Sequence, residues 1–487
     1  MTDVIRRAVL LVLVIAVIVG VGLADAGRGG GQSASGGSLA RGVPSASGIA
    51  VARSDAESSA SFCAGATGSG GNARATIILT NPEPRAVTGT VTTLAAGTTS
   101  PAVAGPQSMA VRVPADDQIA VVPAPSESGG ALASTVVLNG GGVGVSQVVT
   151  GPLGYSAAPC AATTAGTWYF ADGSTAGNNT LSLSLFNPSP TTAVIDVTFV
   201  SSTSGLLAPP AYQGIDVPGD SLVEENVGDH VRNAPDLATM VTSLSGAVVA
   251  AELESAGPSG NGGPSVLLGA VKPSPAWTFA RNMNVSGAST VFHLFNPTGR
   301  PARVTMKIGL SQGAAEPLVL RLPAMSVSVI DAAGVTRIPS NVAFSATFST
   351  SGGAGIVVNR SLSSPSGAVP APQVGEVSGL PGGTDRWLLP APSTPATGIS
   401  SLTIVDLNET VVTVRLAAVS TKGLVTVPGF AHNRVRAGTP LIVSPGAGSV
   451  IGSTPLEVVA SGPVAVEVDA APVGNPGVVV IPALPLP

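Results

Sequence analysis

Apolar and polar residues alternate in short runs along most of this chain, and the same runs return four times. The clearest are ATIILTNP at residues 75–82, LSLSLFNP at 181–188, VFHLFNP at 291–297 and LTIVDLN at 402–408. A period of two puts successive side chains on opposite faces, so each run predicts a half-buried strand. In the first three the strand stops at Asn81-Pro82, Asn187-Pro188 and Asn296-Pro297. Proline brings no amide to a ladder and biases its predecessor away from helix, so a turn is expected at each. The fourth run carries Asn408 with no proline after it.

β-Branched runs follow, such as AVIDVTFV at 193–200 and TVVTVRLAAV at 410–419, each closed by a glycine at Gly97, Gly205, Gly313 or Gly423. Hairpin-like stretches come next, at 135–149, 240–255, 344–362 and 456–470. An aromatic pins each register: Phe62, Trp168, Trp277 and Trp387 precede Asn81, Asn187, Asn296 and Asn408 by 19, 19, 19 and 21 residues. The asparagines lie 106, 109 and 112 residues apart, a period of about 109. Short, punctuated strands with almost no helical periodicity predict an all-β chain of four tandem immunoglobulin-like β-sandwiches. The predicted units are 61–162, 163–271, 272–383 and a degenerate 384–487, with the four aromatics as core anchors.

Two segments precede the repeats. Arg6 and Arg7 stand before an unbroken apolar run of 17 residues, 8–24, which Asp25 ends. As a helix it would span about 25 Å, short for a bilayer core of roughly 30 Å and long for the core of a signal peptide. Residues 1–26 are expected to be a transmembrane signal anchor or a signal peptide, the latter cleaved after Ala26. The basic flank stays inside in either case, so the body is expected outside the cytoplasmic membrane, anchored and facing outward or secreted. Residues 27–60, rich in Gly, Ser and Ala, are expected to form a flexible tether with a reach near 30 Å.

Cys63 and Cys160 enclose the first repeat, 97 residues apart, and are expected to pair. Closing a loop of about 100 residues is worth at most roughly 4 to 5 kcal/mol, and an oxidising compartment preserves the bond. A metal pair or a catalytic thiol would need partners, and the chain has only His230, His293 and His432.

Composition narrows the function classes. Of 487 residues, 44% are hydrophobic and 10% charged, so a core can be buried in each of three or four domains. The net charge is −5 and the 22 basic residues, three of them Lys, are scattered, which gives no footprint for nucleic acid.

The second repeat carries a recognisable set of residues: Trp168-Tyr169-Phe170-Ala171-Asp172-Gly173-Ser174-Thr175, Phe186-Asn187-Pro188, Val217-Pro218-Gly219 and Val248-Val249-Ala250-Ala251-Glu252. It resembles the W-Y-F-A-E-G-x-T, N-P, V-A-E-R repeat of an uncharacterised family of large secreted actinobacterial proteins, classed as a domain of unknown function. The resemblance implies envelope location and β architecture and no reaction. The first repeat departs from it with Phe62 for Trp, the fourth with Asn408-Glu409 for Asn-Pro and Asp406 where its siblings have Leu.

Candidate chemistry is sparse. Gly309-Leu310-Ser311-Gln312-Gly313 matches a nucleophile elbow formally, but Pro317 opposes the helix an elbow needs, and a hairpin turn accounts for it. His293 lies where the sibling repeats carry Ile78, Ser184 and Val405, so no triad is expected around it. His432 lies beside Arg434 and Arg436 in a loop-like stretch. Both histidines are expected to be solvated or singly hydrogen-bonded.

Asp216, Asp220, Glu224, Glu225, Asp229, His230 and Asp236 form the densest acidic stretch, whose oxygens could serve calcium but match no EF-hand spacing. A solvated loop is the expectation. The tryptophans share one repeat position, as core anchors would, leaving Tyr169, Tyr212 and Phe430 as candidate exposed aromatics. No cofactor or enzymatic activity is expected. The expected role is an exported, membrane-tethered structural or interaction protein whose sandwiches present a long surface to an envelope protein or wall glycan. A glycan-binding accessory in envelope polysaccharide assembly is the alternative.

Overall fold

The structure, a computed structural model, describes residues 46–65, 74–96, 106–123, 131–151, 154–255, 264–284, 289–313, 315–364, 373–392, 397–408, 410–445, 449–472 and 479–487. The expected anchor or signal segment, its cleavage site and residues 27–45 of the tether lie outside them. Among the described residues no helix is long and apolar enough to cross a membrane. Regular structure there consists of strands and short 3-10 turns such as Val227–Asp229 and Ala332–Gly334.

Alternation sets the strands, as Ala193–Ser201 shows by burying Ala193, Ile195, Val197 and Phe199 on one face. In the first group, Ser59–Cys63, Leu132–Leu138, Val87–Ala95 and Gln107–Val113 form one sheet. Asp117–Val121, Arg74–Asn81, Gly144–Gly151 and Gly154–Pro159 form its companion.

The second group has Gly205–Leu207, Ala193–Ser201, Leu237–Ser245 and Thr167–Phe170 in one sheet, with Ile215–Val217 beside Ala193–Ser201. Its other sheet holds Ser221–Asn226, Thr180–Asn187, Val249–Ser255 and Pro264–Leu268. The third group pairs the sheet Ala276–Asn284, Val342–Thr350, Ala302–Leu310, Leu318–Leu322 with the sheet Ser326–Asp331, Ser289–Asn296, Val357–Ser364, Gln373–Ser378.

In the fourth, the long strand Leu456–Pro472 fuses both sheets: its first part ladders with Thr384–Leu389 and Val412–Ser420, its second with Thr397–Asp406 and Val479–Ile481. All these ladders are antiparallel. The chain is all-β with several sheets, consistent with β-sandwiches.

Trp168, Trp277 and Trp387 are each fully buried, and each indole Nε1 donates to a backbone carbonyl: Val248 at 2.8 Å, Ile356 at 2.7 Å and Val464 at 3.0 Å. Phe62 differs from them. It occupies the place of Tyr169, since Phe62 bridges Ala161 as Tyr169 bridges Ala270. Both side chains point away from their own core and pack on the next group, Phe62 against Phe186 with ring centroids 6.3 Å apart. The inward position is Cys63, which is disulfide-bonded to Cys160 across a Cα separation of 4.5 Å inside the first core. The 19-residue spacing had picked the outward neighbour, and one residue along a strand reverses the face.

The strand-ending asparagines act alike. Asn187 Oδ1 accepts from Ser189 N at 3.0 Å while its Nδ2 donates to the carbonyls of Thr191, Val217 and Pro218. Asn81 and Asn296 repeat this with Glu83 N and Arg85 and Pro114 carbonyls, and with Thr298 N and Arg300 and Pro323 carbonyls. Pro82, Pro188 and Pro297 follow where no ladder amide is needed. In the fourth group the equivalent is Asp406 and not Asn408: Asp406 ends the strand and its Oδ1 accepts from Asn408 N at 2.8 Å. Counted from Trp387, Asp406 restores the spacing of 19. A carboxylate cannot donate, so Asn408 Nδ2 supplies a bond to the Pro463 carbonyl.

The groups close on themselves. The last strand of the first, Gly154–Pro159, packs beside Pro264–Leu268, that beside Gln373–Ser378, and Val479–Ile481 returns to Gly154–Pro159. The first and fourth groups meet through Ile78, Val148 and Ala157 against Val479. Gln118 clasps them by donating to the Ala391 carbonyl at 3.1 Å and accepting from its amide at 2.9 Å. This ring replaces the long surface expected of tandem units. The entering segment is tied into it, with Val271 N bonded to Ala46 O and Gly142 N to Ala52 O, each at 2.9 Å.

Candidate functional site: the buried polar joints

In every group the second half of the hairpin-like stretch carries polar side chains that the ring buries: Gln147, Glu252 and Glu254, Asn359 and Arg360, Glu467 and Asp469. The joint between the second and third groups collects the most. Asp172, just beyond Thr167–Phe170, meets His293 of Ser289–Asn296, with Oδ1 3.2 Å from Nε2. Ser361 Oγ lies 3.1 Å from the same nitrogen, and Asp236 Oδ1 lies 3.9 Å from Nδ1. Of the two expectations for His293, solvated or singly hydrogen-bonded, the first is thus overturned: its one hydrogen bond goes to Ser361, and the Asp172 carboxylate lies beside it. The His293 side chain is 6% exposed, because the neighbouring group covers the strand face that a lone sandwich would leave in water.

Burial pushes the Asp172 carboxyl up, against the pull of His293. It pushes Glu254 up to about 8 and Glu252 and Glu376 well above the carboxylate range, with the like charges of the cluster adding to the effect. Glu254 accepts from Ser174 N at 2.8 Å and Asn179 Nδ2 at 3.3 Å, and is the ladder partner of Ser265, which ties it to Glu376 across the joint. Asn359 Oδ1 takes the Ala171 amide at 2.5 Å, and Ser265 Oγ takes the Glu376 amide at 2.8 Å.

Ser, His and Asp meet here without the geometry of a nucleophile. Ser361 sits inside a strand laddered on both sides, to Val291 and to Glu376, which leaves no turn to lift its hydroxyl and no pair of free amides for an oxyanion. His293 Nε2 is shared between Ser361 and Asp172.

The joint between the third and fourth groups is held by opposite charges. Arg360, fully buried, donates Nη2 to Glu467 Oε1 at 2.7 Å and Nη1 to Asn282 Oδ1 at 2.9 Å and to the Arg281 carbonyl. Its guanidinium lies 5.2 Å from the Phe279 ring centroid. Glu467 Oε2 also accepts the Ala280 and Arg281 amides at 3.1 and 3.2 Å. Arg281 pairs with Asp469 at 2.6 Å, and burial beside Glu467 lifts Asp469 to about 7 against the pull of both arginines.

A cavity of about 60 Å³ lies among the four terminal strands, lined by Ala157, Leu267, Glu376, Glu467 and Ile481. That is room for a few waters.

The remaining sequence candidates do not gather. Ser311 is exposed on a bend after Ala302–Leu310, and Gly313 takes φ 79° there, as Gly205 and Gly423 take 70° and 84° in the sibling turns. His432 is exposed. The acidic stretch of the second group spreads out: Glu224 accepts the Ala131 amide of the first group, Asp229 accepts from Asn226, and Asp236 turns to Ser202 and His293. Among the described residues no three His, Cys, Asp or Glu side chains are placed to share a metal ion. Tyr212, offered as an exposed aromatic, is fully buried, with its hydroxyl on the Asn226 carbonyl and its pKa raised to about 12 by that burial. Tyr169 and Phe430 are half-buried.

The joint residues are not signalled locally because they come from different repeats. Asp172 and Glu252 were visible as members of a repeated motif, and polar residues inside otherwise apolar strands were the signal available.

A family model for DUF5719, a family of unknown function, matches residues 142–376, a stretch that holds the whole carboxyl-rich joint. Among curated proteins none matches the chain. Two solved structures show likeness. One is Thermotoga maritima 1070, 10% identical, covering 22% of this chain and 94% of that one with a TM-score of 0.21. The other is a tetra-tandem repeat in the extending region of a large adhesion protein, 11% identical, covering 83% and 93% with a TM-score of 0.11.

Proposed function

We propose that this chain is a non-enzymatic, exported cell-envelope scaffold, tethered by its N-terminal segment, of the kind found among large secreted actinobacterial surface proteins. The observation that carries the reading is the Cys63–Cys160 disulfide inside the first core, a bond that oxidising compartments keep and the cytoplasm reduces. The basic pair Arg6 and Arg7 before the apolar run at 8–24 gives the export route. The polar groups that would do chemistry, His293, Asp172 and the glutamates, are spent in joining strand groups. The glycan alternative loses its platforms, since all three Trp rings are closed inside cores.

Protease added to intact spheroplasts tests the proposal. Digestion of residues 42–487 is the expected result. Protection until the membrane is permeabilised would refute export, and retention of wall polymer by the folded protein would favour the glycan reading.

A further inference from the structure

We propose that the joint between the second and third strand groups is a proton-operated clasp, in which the Glu376 carboxyl donates to Glu254 to close it and loss of that proton opens it. The two glutamates belong to different groups, Glu254 to Val249–Ser255 and Glu376 to Gln373–Ser378, and both are nearly sealed from water. Glu254 is the ladder partner of Ser265, whose Oγ takes the Glu376 amide, so the two acids meet at one residue. Two carboxyls brought together there cannot both ionise without like charges meeting in a dry site. Glu254 already receives the Ser174 amide and the Asn179 amide group, so it is the acceptor and Glu376 holds the proton. Burial and the neighbouring acids raise both groups.

The charges around the pair favour that assignment. Glu252 shares the strand of Glu254, and Asp172 approaches from the loop after Thr167–Phe170. His293, the one basic group at the cluster, is engaged by Asp172 on one side and Asp236 on the other. Glu467, which lines the central cavity with Glu376, is already committed to Arg360. No cation is left to neutralise a second carboxylate among these groups. Opening would free the amides that cross the joint, Ala171 to Asn359 and Glu376 to Ser265.

Hydrogen exchange of the full chain at about pH 6 and about pH 9.5, corrected for intrinsic rates, reads those two amides. Their protection should fall at least tenfold, about one pKa unit of coupling, while the amides around Trp387 hold. In Glu254→Gln/Glu376→Gln, where a neutral amide pair bonds at any pH, protection should stay constant. Equal loss in that variant, or no loss in wild type, would overturn the clasp. Infrared spectra of wild type keep the proposal testable if the variant does not fold. A protonated-carboxyl band should be present at about pH 6 and gone at about pH 9.5. Its absence at the lower pH, or reclosure by calcium at the higher, would overturn a proton-held joint.

Discussion

Replacing Arg360 by Met should be among the most damaging single changes in the ring. Arg360 is fully buried, and its guanidinium reaches Glu467 at 2.7 Å, Asn282 at 2.9 Å and the Arg281 carbonyl. Met fills much of the volume, so the loss is electrostatic. It leaves Glu467 buried with two backbone amides and no cation. Breaking such a pair costs about 3 to 5 kcal/mol, whereas an exposed pair is worth at most about 1. Glu467→Leu in the same background removes the orphaned charge. The double variant should therefore recover much of the stability, with a coupling energy of about 2 to 3 kcal/mol. Urea unfolding with the disulfide intact, followed by tryptophan fluorescence, gives these values from midpoint and slope. A cost below about 1 kcal/mol for Arg360→Met, or strictly additive single effects, would show that water reaches this joint and would refute the reasoning.

Trp168→Ala, Trp277→Ala and Trp387→Ala should each cost about 3 to 5 kcal/mol in urea unfolding and leave binding to wall polysaccharide unaltered. Stable variants would argue that the rings are not core. Cys63→Ser/Cys160→Ser should lower stability by up to about 4 to 5 kcal/mol, read as a fall in urea midpoint relative to the oxidised protein. Stability should also fall with rising pH. The buried Glu254–Glu376 pair holds its proton more tightly folded than unfolded, Glu254 being raised from 4.5 to about 8, so the contribution of the pair is complete below about pH 4.5 and lost as the pH rises through about 8, about 3 to 5 kcal/mol in all. Asp469, raised to about 7, acts in the same direction, and a urea midpoint that climbs between about pH 5 and about pH 9 would contradict both.

Strand positions and turns were legible because they are local. Alternation marks ATIILTNP and LSLSLFNP whatever surrounds them, and the turn at Asn187 is closed within four residues by Ser189 N and the Thr191 carbonyl. Two readings failed by one or two residues. Phe62 shares spacing with the tryptophans but sits one step out of phase with the core, and Asp406 does the work assigned to Asn408. Spacing counts residues, while a pleat counts faces. The joints were not legible for a different reason. His293 looks like an outward residue of a lone sandwich, and only a neighbouring group bringing Asp172 and Asp236 makes it a buried one. Ring closure through Gln118 and Ala391 depends on residues 273 apart, which no local pattern encodes.

Small-angle X-ray scattering from residues 42–487 tests most directly whether the four strand groups form one closed body on which a scaffold role can rest. One compact unit of that length should have a radius of gyration of about 22 Å, whereas four separate units in a line, each of roughly 13 Å, would give about 40 Å. The ring predicts a value near the first. A value near the second, with an elongated distance distribution, would contradict it.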